Sequence, residues 1–183
     1  MNAELQAYDP GWKNGFNTIR GYLLTLLADC SVTIEHVGST SIPGMVAKPL
    51  IDVDIIIEEP RMLATVSNLL VNAGYQSRGT QGVPGRYAFR LPEGVGEHRL
   101  PAHHLYVCFA DALALKNHLL FRDFLLQHSD AAENYRSLKL ELVKRAGMTR
   151  EQYNREKTFF ILAVLQKAGL PEAALKEIRD ANL

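Results

Sequence analysis

Residues 34–58 read IEHVGSTSIPGMVAKPLIDVDIIIE: an alternating β-branched run, a Gly-Ser turn, and a second apolar run that carries two aspartates. Successive strand side chains point to opposite faces. A strand from about Leu50 to Ile57 therefore directs Asp52 and Asp54 one way and Ile51, Val53, Ile55 and Ile57 the other. A run this apolar belongs in the middle of a sheet, where an unpaired ionised carboxylate is costly. Two like charges about 5 Å apart repel by roughly 3 kcal/mol at an effective dielectric near 20. Either one carboxylate is protonated or cations sit between them. The competing arrangement is an aspartate pair at a solvated strand end, salt-bridged to Lys48 or to an arginine.

Upstream, Pro10 opens a helix in which Trp12, Phe16, Ile19, Leu23 and Leu26 recur at three- and four-residue spacing, ending near Asp29. VTIEHV at 32–37 alternates as a strand, and GSTSIPG after it is turn chemistry. Downstream, Pro60 and Gly74 bracket a helix with Met62, Leu63, Val66, Leu69 and Leu70 on its apolar stripe. Two short strands, Tyr75 to Gly79 and Tyr87 to Leu91, flank the Gly-rich loop QGVPG. The polar loop PEGVGEHRLPA leads into HHLYVCF, a strand with His104, Tyr106 and Cys108 on one side. These strands are expected to pair antiparallel around the opening pair.

From Asp111 the pattern is helical. Asp111 caps one expected helix to about His128 and Asp130 another to Arg145, with Gly147 at its end. Thr149 with Gln152 has capping-box spacing for a third, and a short charged helix follows Pro171. The fold class is α+β: a mixed sheet with helices packed on it and a helical C-terminal half. The 183 residues make a single domain, with a sheet-containing core at 1–110 and a helical part at 111–183.

Lys plus Arg and Asp plus Glu are 20 each, so no overall field favours nucleic acid or an anionic membrane. No basic helix or aromatic stacking strip is visible, which makes nucleic acid an unlikely partner. Cys30 and Cys108 lie in apolar surroundings without metal-ligand spacing and read as reduced core thiols of a cytoplasmic protein. The opening MNAELQAYDPGW lacks the flank and apolar stretch of a signal peptide, and no apolar run approaches a membrane span.

A Gly-Ser turn leading to a two-aspartate strand suits phosphoryl or nucleotidyl transfer. Backbone N–H groups around Gly38 and the hydroxyls of Ser39, Thr40 and Ser41 can hold phosphates, while Asp52 and Asp54 offer oxygen ligands to Mg²⁺. Lys48, Arg86 and Arg90 are further candidates to face a triphosphate, against the alternative of solvated or sheet-surface cations. His104 can bind metal or take a proton from an acceptor hydroxyl; the alternative for His103 and His104 is a hydrogen bond to backbone. His36 reads as a packed core histidine. Arg122, Asp123, Lys139 and Lys157 read as helix residues that pair with one another rather than reach a ligand.

VGSTSIPGMVAKPLIDVDI resembles the signature of the GrpB-like proteins, a bacterial family placed in the nucleotidyltransferase superfamily of the DNA polymerase β type. PGRYAF, HHLYV, HLLFRDFL, YRSLK and YNREKTFFI are similar to further segments of that family, so the resemblance covers nearly the whole chain. It implies a nucleotidyltransferase fold, an NTP at the Gly38-Ser39 turn, metal on Asp52 and Asp54, and transfer of NMP to an unidentified small acceptor. Superfamily members usually place a third carboxylate on a neighbouring strand, where this chain has HHLYV; the family's His-Leu-His is His104-Leu105-Tyr106 here. Glu93 and Glu97 in the polar loop are other candidates for a third ligand. A second reading is a non-catalytic nucleotide- or CoA-related binding module, since GrpB-like domains also occur fused to an enzyme of coenzyme A synthesis.

Overall fold

The computed structural model describes residues 5–92 and 100–182. Its elements are α1 (Gly11–Leu26), β1 (Val32–Val37), a 3-10 turn (Ser39–Ser41), β2 (Ile51–Ile57), α2 (Met62–Asn72), β3 (Gln76–Ser77), β4 (Arg86–Arg90) and β5 (His103–Phe109). The helical half follows as α3 (Leu113–Gln127), α4 (Ser129–Lys144), α5 (Arg150–Lys167) and α6 (Glu172–Asn182). This is the expected α+β class, a sheet first and helices after it.

The five strands form one sheet in the order β1-β2-β5-β4-β3. The β1–β2, β4–β5 and β3–β4 pairs are antiparallel and β2 and β5 run parallel, so the sheet is mixed as the fold class has it, while the antiparallel pairing expected of the later strands around the opening pair does not hold for β5. The connection through α2 and the β3–β4 hairpin is long enough to bring β5 in beside β2 in the same direction, as parallel neighbours require. The most apolar strand thus lies inside the sheet. Between Tyr75 and Gly79 only Gln76 and Ser77 form a strand, both exposed on the edge.

Strand alternation divides the sheet into two faces. Val53, Ile55 and Ile57 from β2 join Leu105 and Val107 of β5 beneath Ile19 and Leu23 of α1 and Val66 and Leu70 of α2, all fully buried. Full burial of each such aliphatic side chain contributes about 1.5–3 kcal/mol. His103 is on this face: its Nδ1–H donates to the Pro101 carbonyl at 2.7 Å, and Nε2 accepts from the Tyr75 hydroxyl at 2.8 Å. It reads as the backbone-bonded histidine of the sequence alternatives.

The opposite face carries the aspartates, and α3 covers part of it. Cys108 packs with Ala112 and Leu115, against Ile56, Tyr106 and Leu119. Ile42 and Met45, just after the 3-10 turn, pack with Leu125 of α3, Tyr135 of α4 and Val164 of α5, which fixes the turn relative to three helices. The Thr149–Gln152 capping box opens α5 with both reciprocal bonds, at 3.0 and 3.1 Å. Asp111 does not cap α3, whose N-cap is Ala112 without a side-chain bond, and Asp130 lies inside the first turn of α4. In that turn its charge opposes the positive helix end instead of capping it. Cys30 and Cys108 are free thiols, and among the described residues no helix is long and apolar enough to cross a membrane.

Candidate functional site

Register places the candidate residues in rows across the sheet. Val37, Asp52 and His104 form one row, and Glu35, Asp54, Tyr106 and Ala88 the next. Directly opposed residues on neighbouring strands share a face, so both aspartates point to the side that α3 partly covers. In the first row, His104 Nδ1–H donates to Asp52 Oδ1 at 2.9 Å, with 31% of the Asp52 side chain and 54% of the His104 side chain exposed. In the second, His118 of α3 donates from Nδ1 to Asp54 Oδ2 at 2.8 Å. Asp54 is fully buried, and its Oδ1 has no hydrogen-bond partner. Buried polar atoms are rarely left unpaired.

The turn between β1 and β2 presses directly on Asp52. Gly38 has φ +71° and ψ −172°, a combination essentially reserved for glycine. A Cβ there would overlap the Asp52 carboxylate, with the carboxyl carbon 2.9 Å away. Only glycine permits this approach of turn and carboxylate. Inside the turn, Ser41 Oγ donates to the Gly38 carbonyl at 2.6 Å, and Thr40 is buried, its Oγ1 sharing a 3.0 Å hydrogen bond with His36 Nε2. The His36 ring stacks on Phe16 at 4.6 Å. Burial lowers its pKa to about 4, Arg122 pulls the same way and Asp52 opposes. His36 is therefore a neutral packed ring that holds the turn.

Behind the turn lies a set of cations. Lys139 of α4 is only 2% exposed, and its Nζ donates to Ser39 Oγ at 2.9 Å and to the Val46 carbonyl. Burial and the neighbouring Lys157 lower its pKa to about 7, with Asp52 pulling upward. Burial likewise lowers Lys157 on α5, Asp52 raises it and the exposed Lys48 lowers it further. Lys48 and Lys157 are thus close enough to influence each other. Tyr135 also contacts the Ser39 side chain, and burial raises its hydroxyl pKa. Lys139 and Lys157 were expected to pair on helix surfaces; the long alkyl stem of Lys139 instead threads the α4 interface and delivers its ammonium to Ser39.

The arginines fall elsewhere. Arg86 and Arg90 share the site face of β4 by alternation, beyond the β5 row. The Arg86 guanidinium lies 4.7 Å over the Tyr106 ring with Nε buried and unpartnered, and Arg90 is exposed. Burial, followed by Asp52, pushes the Tyr106 hydroxyl up to about 12, while Arg86 acts in the opposite sense. Arg122 on α3 does pair with Asp123, at 2.7 Å, and also donates to Glu35 at 2.6 Å and to the His36 carbonyl at 2.9 Å.

Glu35 is the carboxylate that shares the Asp54 row, and this ion pair occupies it. Glu93 and Glu97 lie outside the described residues. No three His, Cys, Asp or Glu side chains among the described residues converge on one metal position. The donors fit Mg²⁺ in a different way. One or two carboxylates completed by substrate phosphates and water is a common Mg²⁺ set, and the partly exposed Asp52 carboxylate and the unpartnered Asp54 Oδ1 supply those oxygens. His118, Lys139 and Glu35 are the site residues not anticipated as such. The pattern does hold one clue, since His118 and Arg122 recur at four-residue spacing and so fall on one side of the helix.

A family model described as GrpB protein matches residues 2–167. The UPF0157 protein YqkA of Bacillus subtilis is 31% identical over 165 residues, covering 90% of this chain and 47% of the relative, so the chain spans about half of that protein's length. A dephospho-CoA kinase of Mycobacterium bovis is 24% identical over 192 residues, covering 91% of this chain and 46% of the kinase. Among solved structures, conserved protein GrpB from Enterococcus faecalis superposes with a TM-score of 0.74 at 28% identity, covering 94% of this chain and 98% of that one. The Cid1 poly(U) polymerase, solved bound to MgATP, superposes with a TM-score of 0.61 at 12% identity, covering 87% of this chain and 50% of that one. The likeness to Cid1 is one of fold: the chain shares the architecture of that polymerase. With the family model spanning nearly all of the sequence and a solved GrpB structure nearly all of the fold, the chain belongs to the GrpB protein family.

Proposed function

We propose that this chain is a Mg²⁺-dependent nucleotidyltransferase of the cytoplasm that moves NMP from an NTP to a small acceptor. The observation that carries this reading is the contact of Gly38 with Asp52: a turn without a Cβ closes on one of two same-face carboxylates. Ser39, Lys139 and Lys157 would hold the phosphate tail and take up the charge of the departing pyrophosphate. Asp52 and Asp54 would hold Mg²⁺, which when bound polarises the phosphate oxygens.

His104 keeps Nδ1 on Asp52, and its half-exposed ring can offer Nε2 to an acceptor hydroxyl. The acceptor oxygen bonds to the α-phosphorus, the bond to the bridging oxygen breaks, and pyrophosphate leaves. The acceptor proton passes to His104. Most of the rate advantage would come from positioning and charge neutralisation.

The test is to incubate the protein with Mg²⁺, each NTP and a metabolite pool, and to follow pyrophosphate and mass shifts. Pyrophosphate release that persists in an Asp52→Asn, Asp54→Asn double variant overturns the assignment. A second reading, a nucleotide- or CoA-related binding module without turnover, is favoured by one observation: His118 already occupies one oxygen of a fully buried Asp54, and among the described residues no three metal-ligating side chains converge there. The likeness to a dephospho-CoA kinase adds coenzyme A intermediates to the ligands worth testing. A ligand at 100 times its dissociation constant stabilises a fold by about 2.7 kcal/mol. Such stabilisation by an NTP or dephospho-CoA without any product selects the binding module.

A further inference from the structure

We propose that His118 is a positioning residue: from α3 it holds one oxygen of Asp54 so that the other is presented to a divalent cation. This inference rests on the reading in which Asp52 and Asp54 hold Mg²⁺. It adds a residue delivered from the helical half, 64 positions along the chain.

Asp54 lies fully buried in the middle of its row, between Glu35 on β1 and Tyr106 on β5. The terminal torsion of an aspartate is broad and roughly two-fold, so packing alone does not decide where each oxygen points. An ionised carboxylate only accepts hydrogen bonds. The 2.8 Å contact therefore has the proton on His118 Nδ1, and this bond sets the plane of the carboxylate. The row neighbours offer no equivalent: Glu35 is engaged by Arg122, and Tyr106 packs under the Arg86 guanidinium. Among the described residues no other ion pair reaches Asp54.

A clamp with a purely structural role would satisfy both oxygens. Asp54 Oδ1 is instead buried without a partner, a rare condition for a polar atom. The two aspartates repeat one arrangement: His104 Nδ1 holds Asp52 Oδ1, His118 Nδ1 holds Asp54 Oδ2, and each imidazole leaves the other oxygen of its carboxylate untied. Both carboxylates share one face of β2, so the untied oxygens form a two-point seat for a cation. Hydrogen-bond partners of metal-binding carboxylates orient them, and losing one typically costs about 10–100-fold in metal affinity or activity. One turn along α3, Arg122 anchors the helix to Glu35 and the His36 carbonyl. Holding the helix and orienting Asp54 can therefore be tested apart.

The test measures Mn²⁺, a paramagnetic stand-in for Mg²⁺, bound to the full chain with α,β-methylene-ATP, by electron paramagnetic resonance and alongside urea unfolding. His118→Ala is expected to weaken Mn²⁺ at least about tenfold. His118→Asn, whose amide sits where Nδ1 does, should stay within about threefold, and so should Arg122→Met, although it also loosens α3. Should His118→Ala fail to fold, His118→Gln, with its amide displaced from the Nδ1 position, takes its place with the same expected loss. Unchanged Mn²⁺ affinity in the folded variant overturns the inference. Equal weakening by His118→Ala and Arg122→Met, or no rescue by His118→Asn, overturns it as well. The expected pattern with no pyrophosphate from any NTP in Mg²⁺ keeps the positioning role and overturns transfer. Pyrophosphate release that depends on Asp52 and Asp54 while Mn²⁺ ignores His118 overturns only the positioning role. Mn²⁺ binding that survives the Asp52→Asn, Asp54→Asn double variant, or fails in the unaltered chain, overturns both.

Discussion

Asp52 and Asp54 are two residues apart on one strand and one face, yet they occupy different environments. Asp52 stands at the open end of the sheet face, pressed against Gly38, partly exposed and paired with a half-exposed His104. Asp54 lies one step deeper beneath α3, fully buried, with His118 on one oxygen and the Arg122–Glu35 pair clamping the same helix to β1. Alternation decides which face a residue occupies; the reach of α3 across that face decides what the residue can do. The open end is suited to ligands and the covered end to holding the open end in place.

The sharpest way to break this contrast is to remove each carboxylate in turn. Deleting one partner of a buried hydrogen bond to a charged group leaves the other unsatisfied and typically costs about 1–3 kcal/mol. Asp54→Ala should therefore destabilise by about 3 kcal/mol in urea unfolding, since His118 would lose its acceptor within a packed helix–sheet interface. Asp52→Ala should change stability by less than about 1 kcal/mol, because an exposed pair contributes little. Its effect should fall on NTP turnover instead. Equal losses in the two variants would mean that depth under α3 does not separate them.

Gly38→Ala probes the open end by its backbone. The φ of +71° with extended ψ is available to glycine alone at low cost, and the new methyl group would collide with Asp52. A loss of about 2 kcal/mol is expected, together with loss of any NTP-induced thermal shift as the turn moves off the carboxylate. A variant that keeps both stability and the shift would remove the close approach from the account. At the covered end, Arg122→Met should cost about 1.5 kcal/mol by freeing Glu35 and the His36 carbonyl. Because Arg122 touches no proposed ligand group, NTP affinity should change less than about threefold.

How much of this was legible in the sequence follows the distance along the chain over which each contact closes. The turn and the aspartate strand lie within residues 38–54, so turn chemistry and alternation placed Gly38, Ser39, Asp52 and Asp54 together, and the β1 pairing agrees. The Thr149–Gln152 box was equally readable, being a bond across three residues. His118, Arg122 and Lys139 reach the site across 64, 87 and 100 residues, through packing of α3 and α4 that no local pattern encodes. A lysine on a mostly polar helix looks solvated until its neighbours Tyr135 and Leu142 prove to be buried with it. The direction of β5 was misread for the same reason, since the pairing of β2 with β5 is set by a long connection rather than by either strand's residues.

The smallest effect expected at the open end is also the most diagnostic, because two measurements should move in opposite directions with pH. Lys139 is faced by Lys157 from α5, by Asp52 from β2, and by Ser39, the Val46 carbonyl and Tyr135. Its pKa of about 7 in the fold lies below the ordinary 10.5 of lysine, so between those values the unfolded chain holds more protons than the folded one. Stability then rises with pH across that window and is insensitive to this group below it. Urea unfolding from pH 7 to 9 should show this rise, reduced in Lys139→Met. The phosphate tail of an NTP held at Ser39 would favour the charged ammonium, so its binding should take up protons above pH 7 and weaken as pH increases. Calorimetry at pH 8 in buffers of different ionisation enthalpy should register uptake of up to one proton. Proton release, or affinity that grows with pH, would show that Lys139 does not meet the phosphate, and the open end would lose its deepest anchor.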